Sequence, residues 1–281
     1  MNGTNVTTMD SRPAMRERPR FDGLSARMVS AEFLKVRRRR GLVACSAILT
    51  VGAALAVFGI TALLHAQNPA KYGPAGGVSH LSAAMAWVSI LSSVAAILIG
   101  ATAGAGDLQA GVFRDLVSTG RSRVAFFAGR IPGGLALLWP LVAFAWVIAC
   151  AASVAFAGNL TTPAISLMVA GGIWVLLVTA SMYLLALGAA SLTGSRTAAV
   201  GLVLAWQFVL SPLLLQIAGL GVLRQGIQMA ALGRFIPAGL QAGSSDPVSS
   251  TMSVTIAALV IAAWAIIPLA AGAWRTKTRD A

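Results

Sequence analysis

The sequence predicts an all-α polytopic membrane protein. It has six transmembrane helices, an N-terminal amphipathic interfacial helix, and a further short cytosolic helix between spans two and three. Three observations carry this prediction. Six uncharged apolar runs each match or exceed the roughly 20 residues needed to cross about 30 Å of hydrocarbon. Hydrophobic residues make up 57% of the 281-residue chain and charged residues 10%, whereas about a quarter of a soluble domain is charged. The runs are continuous rather than alternating, which excludes a β-barrel. A backbone in lipid must satisfy its own hydrogen bonds, so the runs are helices.

Residues 1–23 are polar, with Arg12, Arg16, Arg18 and Arg20 among small residues and prolines. They read as a disordered cytosolic tail. The stretch is too long and polar for the n-region of a signal peptide, and the apolar run after it is too long for an h-region. Residues 24–40 read as the amphipathic helix. Val29, Phe33 and Val36 recur at helical spacing, while Arg27, Lys35 and Arg37 to Arg40 are basic. Such a helix lies in the headgroup layer, with membrane lipids as its partner.

The spans are expected at about 41–64, 81–106, 131–157, 163–192, 198–220 and 252–273. Pro132 stands at the start of the third, Pro140 inside it, and Pro212 inside the fifth. A Gly/Pro-containing loop from His65 to His80 joins the first two spans. A polar stretch, Asp107 to Arg130, precedes the third. The third and fourth are joined tightly at 158–162, and the fourth and fifth at 193–197, which carries Arg196. Residues 221–251 are longer and mostly apolar, with Arg224, Arg234 and Asp246. Within them Leu223, Ile227 and Ala231 stand at helical spacing, predicting a short helix over 221–241 that dips into the outer leaflet. Residues 274–281 form a basic tail.

The formal net charge is +13, from 21 Lys and Arg against 8 Asp and Glu. Ten basic residues precede the first span, four lie between spans two and three, one is Arg196, and three follow the last span. Only Lys71, Arg224 and Arg234 fall on the other side. This asymmetry predicts a multi-pass protein of the cell membrane with both termini cytosolic. The positive charge is therefore an orientation signal. Too few charges lie outside the apolar runs to build a basic groove, so no nucleic-acid partner is expected. Composition also excludes a disordered chain and a disulfide-stapled secreted domain. Lys occurs only at 35, 71 and 277, which with abundant Ala and Gly fits a GC-rich bacterial genome.

Within those bounds the spans hold no Asp, Glu, Lys, Arg or His. No catalytic, cofactor-binding or metal residue is predicted, and the chain reads as a non-enzyme. The missing intramembrane carboxylate or histidine argues against proton-coupled transport. No G-x-x-x-x-G-K-[ST] phosphate loop occurs. Cys45 and Cys150 read as small buried apolar residues, and His65 and His80 as interfacial polar groups. Gly100-x-x-x-Gly104 reads as a close helix contact. The seven tryptophans read mostly as interfacial or packing aromatics.

Two regions carry more information. From Asp107 to Arg123, the residues Val112, Phe113, Leu116 and Val117 form an apolar stripe. Gly120 is placed to end that helix and Ser122 to cap the next. The short helix either lies on the bilayer, held by Arg121 and Arg123, or docks a cytosolic partner. Spans two and five hold uncharged polar side chains: Ser89, Ser92, Ser93 and Thr102, then Gln207, Ser211 and Gln216. Amides in lipid need a partner or water. These side chains serve helix–helix hydrogen bonding, or Ser89, Ser93, Gln207, Ser211 and Gln216 line a pathway.

In their order these features resemble the permease subunits of type-two bacterial ABC exporters. The entry Ala31-Glu-Phe-Leu-Lys-Val-Arg37 is similar to the start of that family. Asp107, Gly111, Arg114, Leu116, Ser122 and Arg123 match its loop after span two. Phe235-Ile-Pro237 and Arg279-Asp-Ala281 match its outer segment and its end. The resemblance covers about residues 24–281, and it is the order of short motifs that is specific.

The resemblance implies that the loop helix is a coupling helix. Its residues Val112, Phe113, Arg114, Asp115 and Leu116 would contact a separate cytosolic ATPase subunit. That subunit would bind ATP and Mg, and this chain would hold no cofactor. A second permease protomer, identical or homologous, would complete the unit, with spans two and five at the protomer interface. Val29, Phe33, Lys35, Val36 and Arg37 would form the interfacial helix. Uncharged, apolar spans suit a hydrophobic or amphipathic substrate moved by alternating access. The rival readings are a six-span anchor or assembly factor without transport, and a gradient-driven carrier. A stable ATPase partner separates the first reading from both.

Overall fold

The computed structural model describes residues 26–109, 123–241 and 247–278. The N-terminal tail and the expected coupling helix, Val112, Phe113, Arg114, Asp115 and Leu116 included, lie outside the described residues. Every described element is helical, and six helices are long and apolar enough to cross a membrane.

Helix α1 (Ala26–Arg37) precedes the bundle. The six long helices are α2 (Arg40–Gln67), α3 (Gly77–Gln109), α4 (Arg123–Ala155), α5 (Ile165–Thr193), α6 (Arg196–Gln216) and α9 (Val254–Thr278). Between α6 and α9 lie a 3-10 helix (Ala218–Gly226), α7 (Gln228–Gly233) and α8 (Pro247–Thr251).

Helices α3 and α5 are the centre of the bundle. Buried residues make up 61% and 72% of their most apolar windows, against 17% in α6 and 6% in α9. Hydropathy is no guide to this difference, because all four are apolar. Small residues decide it. A Cβ at Gly100 would stand 2.5 Å from the Tyr183 carbonyl oxygen, and one at Gly104 would stand 2.6 Å from that of Leu187. Without side chains there, α3 and α5 pack backbone to backbone, which is how helices associate where lipid is as apolar as the partner. Helix α9 joins α5 by the same device. A Cβ at Gly188 would lie 2.5 Å from the Pro268 carbonyl carbon, and one at Gly272 would lie 3.0 Å from Ser191 Cβ.

Two helices carry a π-helical turn, each with a local cause. In α6 the turn Trp206–Leu210 immediately precedes Pro212. Pro212 has no N–H and crowds the preceding turn. The helix widens there, and Ser211 N–H reaches the Trp206 carbonyl five residues back. In α2 the turn is Ile48–Gly52. There the Thr50 hydroxyl donates to the carbonyls of Ser46 (2.9 Å) and Ala47 (3.3 Å), in competition with the backbone ladder.

Several bounds differ from those read in the sequence. Helix α4 begins at Arg123, ahead of Ile131, because Val124 to Ala128 is apolar enough to continue it. Helix α6 stops at Gln216, where Ile217 turns extended with ψ 96°. The single helix expected over 221–241 is replaced by two short pieces. Ile227 turns extended (φ −80°, ψ 127°) and separates them, while Gly221, at φ 49°, kinks the first piece. Leu223 is exposed while Ile227 and Ala231 are buried, so they do not share a face. Cys45 is exposed and Cys150 half-buried, against the expectation that both are buried. Cys45 lies on a face of α2 that no other described element covers.

Helix α1 spends one face on the protein. Met28 and Val36 are buried, Val29 and Phe33 half-buried, Leu34 and Arg37 exposed. The seat is Gly133 on α4, where an added Cβ would meet Glu32 Cβ at 2.8 Å and the Phe33 nitrogen at 3.3 Å. Lys35 Nζ holds the Glu32 carboxylate at 2.9 Å, one turn away.

Candidate functional site: a cavity beneath the 227–252 segment

The segment after α6 is threaded back into the bundle. Gln228, Ala230, Ala231 and Leu232 of α7 are buried, and so is Leu240. Three side chains fasten the segment. Trp174 of α5 donates through Nε1 to the Leu232 carbonyl at 2.9 Å. Ser82 of α3 donates to the Leu240 carbonyl at 2.9 Å. Arg234 Nε donates to the Met252 carbonyl at 2.8 Å. Each bond satisfies a backbone carbonyl in a stretch that regular helix does not serve. On the α6 side, the Trp206 and Trp264 rings stack with centroids 4.8 Å apart, and Trp264 Nε1 donates to the Gly226 carbonyl at 2.9 Å.

Under this segment lies a cavity of about 440 Å³. Ser89 and Ser93 of α3, Trp174 and Val178 of α5, and Gln207 and Leu215 of α6 line it. Met229, Arg234, Gln241, Ser249 and Ser250 of the overlying segment line it as well. The two α3 serines spend their protons on their own helix, Ser89 on the Ala86 carbonyl (2.9 Å) and Ser93 on the Ser89 carbonyl (2.7 Å). Their oxygens remain acceptors. Gln207 Oε1 is buried and accepts no hydrogen bond from the protein. Trp206 Nε1, Ser211 Oγ and both amide atoms of Gln228 are likewise buried without a protein partner. Of these, Gln207 lines the cavity, so its oxygen is an acceptor open to whatever fills that space.

Of the five pathway candidates, Ser89, Ser93 and Gln207 line this one cavity. Ser211 is fully buried but lies off the cavity, and Gln216 is exposed at the end of α6. Sequence reasoning passed over Trp174, Gln241 and Arg234 as lining residues. Arg234 had a signal, since a cation inside a mostly apolar segment demands a reason.

At the opposite end of the bundle Arg39 lies against Gly106, and in a separate contact Arg123 Nη1 donates to the Lys277 carbonyl at 3.4 Å. Arg130, near Arg123 in sequence, is buried beside Gly104. The residue was placed in a polar loop, yet it is the eighth residue of α4 and only 3% exposed. Its Nη1 donates to the Gly104 carbonyl at 3.1 Å, which Ser191 Oγ also approaches at 3.4 Å. The early start of α4 carries Arg130 inward, so the long helices are not free of charge.

The histidines are structural. His65 Nδ1 donates to the Tyr72 carbonyl at 2.6 Å and His80 Nδ1 to that of Gly76 at 2.8 Å. Both bonds order the α2–α3 connection. Trp146 packs over Gly171 and Gly172 and donates to the Met168 carbonyl at 2.8 Å, tying α4 to α5. Trp87, Trp139 and Trp274 are exposed on the outside of the bundle.

No protein-family model matches this chain, and no curated protein matches it.

Proposed function

We propose that the chain is the membrane-spanning permease subunit of an ATP-binding-cassette export complex, moving a hydrophobic or amphipathic substrate by alternating access. The observation that carries the reading is the cavity. Ser89, Ser93 and Gln207 come from two different spans and meet in one space among apolar helices. The described lining residues offer hydrogen-bond acceptors and, among them, no arrangement of nucleophile and base, which suits passage rather than chemistry. The ordered motifs of the sequence support the same reading.

In this proposal both termini are cytosolic in the cell membrane. The segment around Phe113 and Arg114 meets a cytosolic ATPase, which binds ATP and Mg. A second permease protomer, identical or homologous, completes the unit. ATP must bind one arrangement of the assembly better than the other for the spans to move. The sparsely covered helices α6 and α9 leave apolar faces for lipid and for that second protomer.

The test is co-purification with the cytosolic ATPase, followed by ATP hydrolysis in proteoliposomes. Phe113→Asp combined with Arg114→Glu is expected to abolish substrate-coupled hydrolysis while membrane insertion persists. Normal coupling in that double variant would overturn the docking assignment. A chain that purifies without any ATPase would favour a non-transporting anchor or a gradient-driven carrier.

A further inference from the structure

We infer that the cavity beneath the 227–252 segment binds a single-chain anionic amphiphile, with its head on Arg234 and its chain along Ile90, Val178 and Leu215. The inference deepens the export reading by naming a substrate class, and it rests on that reading only in calling the ligand a substrate.

The first argument is charge. Among the described residues that line the cavity, Arg234 is the only charged one. Its Nε is committed to the Met252 carbonyl at 2.8 Å. That bond holds the guanidinium at the cavity wall. A planar cation fixed in this way selects a carboxylate or phosphate. Gln241, Ser249 and Ser250 line the cavity as well.

The second argument is the lining. Ile90, Trp174, Val178, Leu215, Met229 and Ile236 give the cavity an apolar length of wall beside the cationic Arg234. Its volume of about 440 Å³ sits low in the range of small-molecule sites, which fits one chain. A purely hydrophilic anion would leave the apolar length unfilled, and a neutral hydrocarbon would leave the Arg234 guanidinium unanswered.

The test is equilibrium binding of radiolabelled dodecyl phosphate to the full-length protein in phosphatidylcholine nanodiscs, without any ATPase. Saturable binding near one per chain is expected. Neither dodecanol nor inorganic phosphate should displace the probe at equal concentration, because each supplies half of the recognition. Arg234→Gln is expected to weaken binding by about ten- to hundredfold, the worth of one charge-assisted hydrogen bond. Arg234→Lys should restore much of it.

Arg234 also holds the segment, so a second variant guards against misfolding. Ile90→Trp adds bulk to the cavity from a residue that is 41% exposed. It is expected to block binding while thermal unfolding stays unchanged. Equal binding of dodecanol, displacement by phosphate alone, or unaltered binding in both Arg234→Gln and Ile90→Trp would overturn the inference. Loss of binding with an ATPase partner intact would remove the ligand class and leave the exporter reading. Binding with no ATPase partner would do the reverse.

Discussion

The hydroxyl of Tyr183 donates to the backbone carbonyl of Arg130 at 2.6 Å, and neither residue is more than 3% exposed. The bond crosses from α5 to α4. One turn further along α4, Gly134 leaves the space that the Tyr183 ring fills, since an added Cβ there would collide with the phenol. The Arg130 side chain continues the link to α3 through the Gly104 carbonyl. Three helices are thereby joined at one end of the bundle by one phenol, one guanidinium and two glycines.

This link sets a first expectation for stability in detergent. Tyr183→Phe removes one buried hydrogen bond and should cost about 1 kcal/mol. Gly134→Ala forces the ring or the helix to move and should cost about 1–3 kcal/mol, as overpacking does. The unfolding midpoint of the purified protein reads both. An unchanged midpoint in Gly134→Ala would mean that the phenol does not occupy that space.

Arg130 is the second site to test. Arg130→Gln deletes a charge-assisted bond to the Gly104 carbonyl and is expected to cost about 1.5–3 kcal/mol. Arg130→Lys keeps the charge but loses the planar fork, so it should fall between the two. Comparing the three proteins by thermal unfolding orders them. Equal midpoints for Arg130→Gln and the parent would contradict the buried placement.

Glycines can be sorted by what surrounds them. A Cβ at Gly104 would stand 2.6 Å from the Leu187 carbonyl oxygen, whereas at Gly201 nothing lies within 4 Å. Gly104→Ala should therefore destabilise by about 1–3 kcal/mol. Gly201→Ala should be neutral or stabilise by up to about 1 kcal/mol through helix propensity. A reversed order in the same unfolding assay would refute the α3–α5 contact.

Orientation is checked by thiol labelling. In a background with Cys45→Ala and Cys150→Ala, Gly73→Cys sits in the α2–α3 connection and Thr278→Cys at the last described residue. A membrane-impermeant maleimide should label the first in intact cells and the second only after permeabilisation. The opposite pattern would invert the topology predicted from the basic residues.

Much of the architecture was legible in composition and spacing. The apolar lengths place six helices, because lipid leaves the backbone no other way to pair its polar groups. The turn between α5 and α6 was equally readable. Gly194 takes φ 70° to close one helix, and Ser195 accepts from Ala198 N–H at 3.3 Å to open the next. Gly100 and Gly104, read as a close contact, do lie against the α5 backbone. The candidate site was legible only in part. Ser89, Ser93 and Gln207 stood out as polar groups in apolar runs, but nothing local said that they meet. Arg234 was visible as an isolated cation, and its place in a cavity wall was not. The helix expected over 221–241 failed because Ile227, in the middle of its apolar spacing, is extended and splits it in two.

What the sequence determined by itself is therefore the number of long helices, the reason that they are helices, and where the chain turns between several of them. The tertiary structure alone decided which faces meet. In water an apolar face points to the core, so periodicity reveals it. Here the surroundings are as apolar as the interior, and hydropathy is the same on every side of a span. The choice falls to side-chain size, as at Gly104 and Gly188, and to a few hydrogen bonds, as between Tyr183 and Arg130. Those depend on residues distant in sequence that become neighbours only in the folded bundle.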